Sequence, residues 1–326
     1  MIKNQWYVVL ASRQVGKTPI GVTRLGEKLV FFRSSKGEAV CLADKCAHRG
    51  VALSIGAACD DDTLMCPFHG LRYDASGKCT LIPANGRAAA VPPNFKVRSY
   101  PTHEDHGFIW IWWGEGRPSP LFPEFFDDIP PNAKYSTVID PWDAHYSRVI
   151  ENQIDCVHLP FVHHNTIGRG NKTVVNGPGF EWASPDKFFM YVYNEVDSGQ
   201  KPKTPTQVPV PNPNGFKLEF IYPNLWENRI ADKVRVLGAF VPVDGEHTLL
   251  YLRFYQSFVL IPLLGALIAK AAMPFNLLVA HQDRTVVRTQ VPKTSGLGIG
   301  ENLFQGDKPI MEYRKRRKEL QKKAEE

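Results

Sequence analysis

Four residues set the first chemical question. Cys46 and His48 stand one residue apart in CAHRG, and Cys66 and His69 two apart in CPFHGL, with seventeen residues between the pairs. Two thiolates and two imidazoles form a metal-binding set, and each loop runs into a glycine that lets backbone N–H groups approach a centre. Two centres use such a set. One is tetrahedral zinc. The other is a [2Fe–2S] cluster with both Cys on one iron and both His on the other. Zinc fingers pair Cys with Cys on a hairpin and His with His on a helix. Here each loop offers one of each and no helix is implied, which favours the cluster.

A second group lies in ENQIDCVHLPFVHH. Asn152, Asp155 and His158 are spaced by three, so on a helix they share a face. Pro160 interrupts that helix and lets His163 swing back toward His158. Two imidazoles and one carboxylate suit Fe(II) and leave positions open for O₂ beside a substrate, so a carboxylate must come from elsewhere in the chain. The helical zinc-protease signature H-E-x-x-H is absent. A single His is usually a satisfied polar residue. Three of the ten His fall within residues 158–164, close to an Asp, and that weighs against the bland reading.

The elements that must hold these groups change character along the chain. Residues 1–117 read as all-β: short apolar runs such as WYVVLA, KLVFFRS and FIWIWWG alternate with turn signals. The Pro- and Gly-rich stretch 114–133 reads as a linker. Residues 118–326 mix a helical segment, HYSRVIENQIDCVHL, with strand-like runs KFFMYVYNEV, GFKLEFIYP, RVLGAFVPV and HTLLYLRFYQ. A Pro-rich loop spans 201–215, and 257–292 looks helical, broken by Pro262 and Pro274. The expected fold is α+β: an all-β first domain and a second domain of antiparallel sheet backed by helices. Apolar residues of the sheet at 215–259 and of the helix at 257–270 are the expected walls of a substrate pocket.

Charge and composition narrow the partners. Of the net charge of +6, the tail from Arg314 to Glu326 carries +4, so a basic nucleic-acid face on the folded body is not indicated. The tail reads as a solvated helix. The most apolar stretch, SFVLIPLLGALIA at 257–269, is short for a membrane span, so a buried helix is expected rather than membrane contact. No secretory signal is visible at the N-terminus, which fits a cytoplasmic protein. Five of the six Cys lie in residues 41–79, a pattern that in a reducing compartment suggests metal. Cys41, Cys59, Cys79 and Cys156 read as core thiols.

Around residues 40–85 the pattern C-x-H-R-G then C-P-x-H-G resembles the Rieske domain of bacterial aromatic-ring-hydroxylating oxygenases. Respiratory Rieske proteins carry two further Cys where this chain has Val51 and Phe68, so the oxygenase type fits better; Leu71 departs from the usual Trp. The motif N-x-x-D-x-x-H-x-x-x-x-H resembles the same family's α (terminal oxygenase) subunits, in particular the α-only subgroup of the O-demethylases and saxitoxin-biosynthesis-type oxygenases. The resemblance implies a Rieske [2Fe–2S] cluster on Cys46, His48, Cys66 and His69. It implies mononuclear Fe(II) on His158 and His163 in a helix-grip domain, with Asp283 of LLVAHQDRTVVRTQ as third ligand. The residues alone allow another reading of Asp283, as a surface Asp paired with Arg284 or Arg288. Asn152 opens the motif, and Asp155 is implied as the bridge to the cluster of a neighbouring subunit in a head-to-tail homotrimer.

The implied activity is O₂-dependent monooxygenation, a hydroxylation or oxidative demethylation, of an apolar small molecule. Electrons would come from a separate NAD(P)H-dependent reductase or ferredoxin, since no Gly-rich dinucleotide fingerprint follows a strand here. The alternative is a Rieske electron carrier without oxygenase chemistry.

Overall fold

The computed structural model describes residues 1–122, 124–211 and 215–325. Position 123 of the linker and positions 212–214 of the Pro-rich loop lie outside the described residues. The chain divides into two compact units, residues 3–123 with 242–244, and residues 124–241 with 245–326.

Among the described residues the first unit has eleven strands: β1 (Gln5–Ala11), β2 (Ile20–Arg24), β3 (Glu27–Arg33), β4 (Ala39–Ala43), β5 (Ala57–Ala58), β6 (Leu64–Met65), β7 (Arg72–Tyr73), β8 (Cys79–Leu81), β9 (Ser99–Tyr100), β10 (Thr102–Asp105) and β11 (Phe108–Trp113). They form three sheets, ordered β1-β11-β10, β2-β3-β4-β9 and β5-β6-β7-β8. Phe31 and Phe32 on β3 point to opposite faces, as strand alternation requires. Phe31 enters the core with Tyr7, Leu29 and Ile111. Phe32 enters a second core with Leu53, Leu64, Leu71, Tyr73, Cys46 and Cys66. Two cluster-loop Cys are therefore anchored by ordinary apolar burial, at roughly 1.5–3 kcal/mol per large side chain. Of the other thiols, Cys41, Cys79 and Cys156 are buried, whereas Cys59, expected in a core, is half-buried. The expected linker is not a free tether: Phe122 stacks on His103 at 3.8 Å and packs against Trp6 within the first unit.

The second unit holds β12 (Lys134–Trp142), α1 (Tyr146–Gln153), α2 (Leu159–Val162), β13 (Val174–Ser184), β14 (Lys187–Glu195), β15 (Lys217–Ile221), β16 (Leu225–Ala231), β17 (Val234–Pro242), β18 (Thr248–Gln256), α3 (Pro262–Val287) and α4 (Lys308–Lys323). Its antiparallel sheet has the order β12-β18-β17-β16-β15-β14-β13. The two strands with prolines at Pro141 and Pro178 are its two edges, where a missing N–H costs no central ladder bond.

Several expectations for this unit are corrected. The helix expected to run to Pro160 stops at Gln153. Asp155 Oδ1 instead accepts the Val157 N–H at 2.6 Å, a local turn that competes with helix continuation. Pro160 then sits in the first turn of α2, where its missing N–H is tolerated. Pro262 likewise opens α3 rather than breaking it, and α3 continues through Pro274. The segment is not a buried helix: Leu263 is 75% exposed, and only 22% of the most apolar part of α3 is buried. By length and composition α3 is long and apolar enough to cross a membrane, yet its last turns hold His281, Asp283 and Arg284, an expensive load at bilayer depth.

The basic tail is not a solvated helix either. Arg314 and Arg317 of α4 are buried, with Ile310, Tyr313 and Leu320. Arg314 makes paired bonds to Glu151 of α1 at 2.6 and 2.9 Å, and Glu301 bridges Arg314 and Arg148. The exposed Lys315 occupies the opposite face, and Lys318 flanks the buried one. A mixed helix face, rather than net charge, decides its burial.

Candidate metal centres

The loops after β4 and β6 have the same backbone design. Cys46 N–H donates to Val51 O at 2.8 Å, and Cys66 N–H to Leu71 O at 2.8 Å. Gly50 N–H returns to Cys46 O at 2.9 Å and Gly70 N–H to Cys66 O at 3.0 Å. Each glycine has positive φ, 74° and 71°, the conformation that closes these turns and that a side chain would strain. Each turn buries its Cys and exposes its His. His48 and His69 face each other with Nδ1 atoms 3.2 Å apart.

Tyr73 Oη accepts the Ala47 N–H at 3.1 Å, which leaves its own O–H for Cys46 Sγ at 3.2 Å. Burial pushes the Cys66 thiol up, and the Cys46 sulfur adds to the rise. Two protonated thiols side by side in a core gain little, whereas metal binding would deprotonate both. Two buried sulfurs on one side and two paired imidazoles at the rim fit a [2Fe–2S] cluster.

In the second unit the structure brings His158, His163 and Asp283 together, with one donor atom from each within 4.8 Å of the others. His158 stands at the start of α2 and His163 at its end, so a single short helix sets their spacing. His164, the neighbour most easily confused with His163, is exposed and hydrogen-bonded to Phe161 O instead. Asp283 is buried on α3, and its neighbour Arg284 pairs with Asp140 at 3.0 Å. Asp283 is thus not the surface partner of Arg284.

Asp283 Oδ1 lies 2.9 Å from His163 Nε2 and 3.4 Å from His158 Nε2, yet it is buried without a hydrogen-bond donor. The reason lies on the far side of the ring. Gln282 Oε1 takes Thr166 Oγ1–H at 2.8 Å while Gln282 Nε2 donates to Asn165. That fixed amide accepts the His163 Nδ1–H at 2.8 Å and leaves Nε2 bare. Two lone pairs then face each other at 2.9 Å, and a cation or a proton must sit between them. Burial alone would lower the His163 pKa, but Asp283 and Gln282 reverse this and raise it. Gln153 Nε2 holds the second oxygen of Asp283 at 3.1 Å. The bare Nε2 of His163, the facing Nε2 of His158 and an orphaned carboxylate oxygen fit a divalent metal with open positions.

This group lies in the wall of a cavity of about 430 Å³. Strand alternation supplies Leu218, Asn228, Val236 and Leu252 to that wall. The intervening Lys217, Glu227, Arg229 and Arg235 face away: Lys217 pairs with Glu219, Arg229 with Asp128, and Arg235 with Asp128 and Glu227. On α3 the wall residues are Ala272, Phe275, Asn276, Val279, Ala280 and Asp283. The expected sheet wall is present, but the helical wall is 272–283 rather than 257–270, because α3 runs on past Pro274 and turns its second half to the cavity.

Asp155 also borders the cavity, its Oδ2 3.6 Å from His158 Nδ1. Asn152 does not line it, and its Nδ2 is buried without a partner. Gln153 and Gln282, which orient the group, were missed in the sequence. Glutamine carries no chemical signal of its own, and only proximity to Asn152 and Asp283 pointed near them.

Comparison with known proteins agrees with both halves. Residues 5–101 match the family described as Rieske [2Fe-2S] domain, and residues 142–323 the family described as Vanillate O-demethylase oxygenase C-terminal domain. A putative toluene-4-sulfonate monooxygenase system iron-sulfur subunit, TsaM2 of Comamonas testosteroni, is 36% identical over 171 residues, covering 52% of this chain and 48% of that protein. The vanillate O-demethylase oxygenase subunit of a Pseudomonas strain is 32% identical over 170 residues, covering 51% and 46%. The chain thus spans about half the length of these curated relatives. Among solved structures, NdmA of Pseudomonas putida CBB5 with caffeine superposes with a TM-score of 0.75 at 26% identity, covering 97% of this chain and 90% of that one. With one family matched across its first hundred residues and the other across more than half its length, the chain belongs to the Rieske-type non-haem iron oxygenases.

Proposed function

We propose that this chain is the terminal oxygenase component of a monooxygenase that hydroxylates or oxidatively demethylates a small molecule. The observation that carries the reading is the convergence of His158, His163 and Asp283 on the wall of a largely apolar cavity. When bound, the Rieske cluster would supply single electrons, and iron at the second site would supply the centre for O₂ activation. An electron carrier would have no use for the cavity.

The chain's own residues do the positioning. Gln282 holds the His163 tautomer, and Gln153 turns one oxygen of Asp283 away so that the other faces the two Nε2 atoms. The apolar wall excludes water and holds one face of the substrate beside that group. Asp155, next to His158 Nδ1, serves as the bridge toward a cluster histidine of a neighbouring copy in a head-to-tail trimer. The exposed edges of His48 and His69 support such an approach from outside the chain. A separate reductase or ferredoxin delivers the electrons.

The test is an iron and acid-labile sulfide count with a visible spectrum on protein purified without air. About three irons and two sulfides per chain, with a red-brown colour bleached by dithionite, are expected. Two irons at most after iron is added back would reject the oxygenase reading. Asp155→Ala should keep both metals and lose turnover; full turnover would reject the bridge.

A further inference from the structure

The cavity has an unusual electrical character for a site of this size. Among the described residues that line it, none is Lys or Arg. Its charged groups are Asp155, Asp283 and the two histidines, which are committed to one another. Of the cations adjacent to lining residues, Lys217, Arg229 and Arg235 lie on the opposite face of the sheet, tied to Glu219, Asp128 and Glu227, Arg253 is held by Tyr135 and Tyr255, and Arg284 by Asp140. Strand alternation keeps the first three there. With a divalent iron in place, Asp283 and nearby Asp155 offset the ion's charge, so a carboxylate or sulfonate entering the cavity would lose its water shell and meet no surplus positive charge, which is unfavourable.

The same wall holds polar atoms without partners. Asn228 Oδ1 and Trp226 Nε1, two residues apart on β16, are buried and unbonded. Across the cavity, Asn276 gives its Nδ2–H to Ala272 O at 2.9 Å, leaving its oxygen open as an acceptor. Orphaned groups of this kind are costly; Asn228 is half-buried at the wall, and a turn of its amide toward a bound donor or acceptor would relieve its oxygen.

Resting on the reading of the cavity as the substrate site, we infer that its substrate is electrically neutral. Its body is apolar, and it carries one hydroxyl or amide-type group held by Asn228 and its neighbours. Asn228 is on this account a specificity-determining residue that touches substrate and not metal.

The experiment uses the iron-loaded protein without reductant, at pH 8, and calorimetric binding of isosteric pairs: 4-methoxybenzamide against 4-methoxybenzoate, and 2-naphthamide against 2-naphthoate. The neutral member should bind at least tenfold more tightly in each pair. Asn228→Leu should weaken the amides at least fivefold with iron content unchanged, and Asn228→Ser, which restores a hydroxyl, should recover part of the loss. Equal or tighter binding of the anions overturns the inference, as does failure of both amides to bind iron-replete protein. These outcomes are separate from the oxygenase reading. Amides that bind in the expected order, with no product when electrons and O₂ are supplied, would sink that reading and leave this one standing.

Discussion

The two metal-binding regions are built on opposite plans. The cluster loops repeat one turn twice within 26 residues, each with its own glycine and its own internal hydrogen bonds, and their imidazoles are exposed. The proposed iron site draws its groups from α2 and α3, 120 residues apart, and buries two of the three. Its geometry is held by side chains on α1 and α3 and, behind them, by an ionic network reaching α4. A site made of local turns depends on its own few residues. A site made by packing depends on distant ones.

Predictions that separate the two plans follow in order of size. Cys66→Ser should remove the visible chromophore and abolish turnover while the mononuclear iron stays; loss of both metals would show that the sites are not independent. Arg314→Ala leaves buried Glu151 with Arg148 alone and should destabilise the second unit by roughly 1.5–3 kcal/mol in chemical denaturation, with the cluster spectrum unchanged. Bleaching of the cluster in that variant would break the comparison. Gln282→Leu frees the His163 tautomer and should weaken iron retention by about 10–100-fold in a chelator competition. Unchanged retention would mean that packing alone orients the ring.

The smallest effect is a pH dependence. His145 caps α1 with its bare Nδ1, 3.3 Å from Ser147 N, and burial, with Arg317 and Arg148 nearby, lowers its pKa to about 3. Its folded pKa lies below the unfolded value of 6.5, so the stability it contributes is full above pH 6.5 and is lost as pH falls from 6.5 toward 3. Between pH 7 and pH 5 this amounts to about 2 kcal/mol. His145→Asn keeps a capping oxygen and removes the titration, so its stability should fall less over that interval. Parallel curves for the two proteins would rule out His145 as the source.

The same contrast explains what could be read in advance. Cys46, His48, Cys66 and His69 announce themselves because their spacing and their structure are both local. Four strands of the sheet interior, β14, β15, β17 and β18, were legible from their apolar runs; β16 was not, because Glu227, Asn228 and Arg229 interrupt its apolar pattern. The edge strands β12 and β13 were not, because Pro141, Gly177 and Pro178 spoil the pattern and an edge tolerates them. The turn at Asp155 was read as helix, since a side chain that caps a local N–H leaves no mark in residue spacing. The basic tail was read as solvated because net charge hides which face carries Arg314 and Arg317.

By itself the sequence determined residue types and local periods: two Cys–His loops, a pair of histidines five apart, and alternating apolar strands. Tertiary structure alone decided that Asp283 faces those histidines and not Arg284, and that Pro274 is carried within α3. It also decided that the sheet's cations face away from the cavity. Each of these is settled by long-range packing and desolvation, whose energies depend on neighbours far along the chain and not on the residue itself.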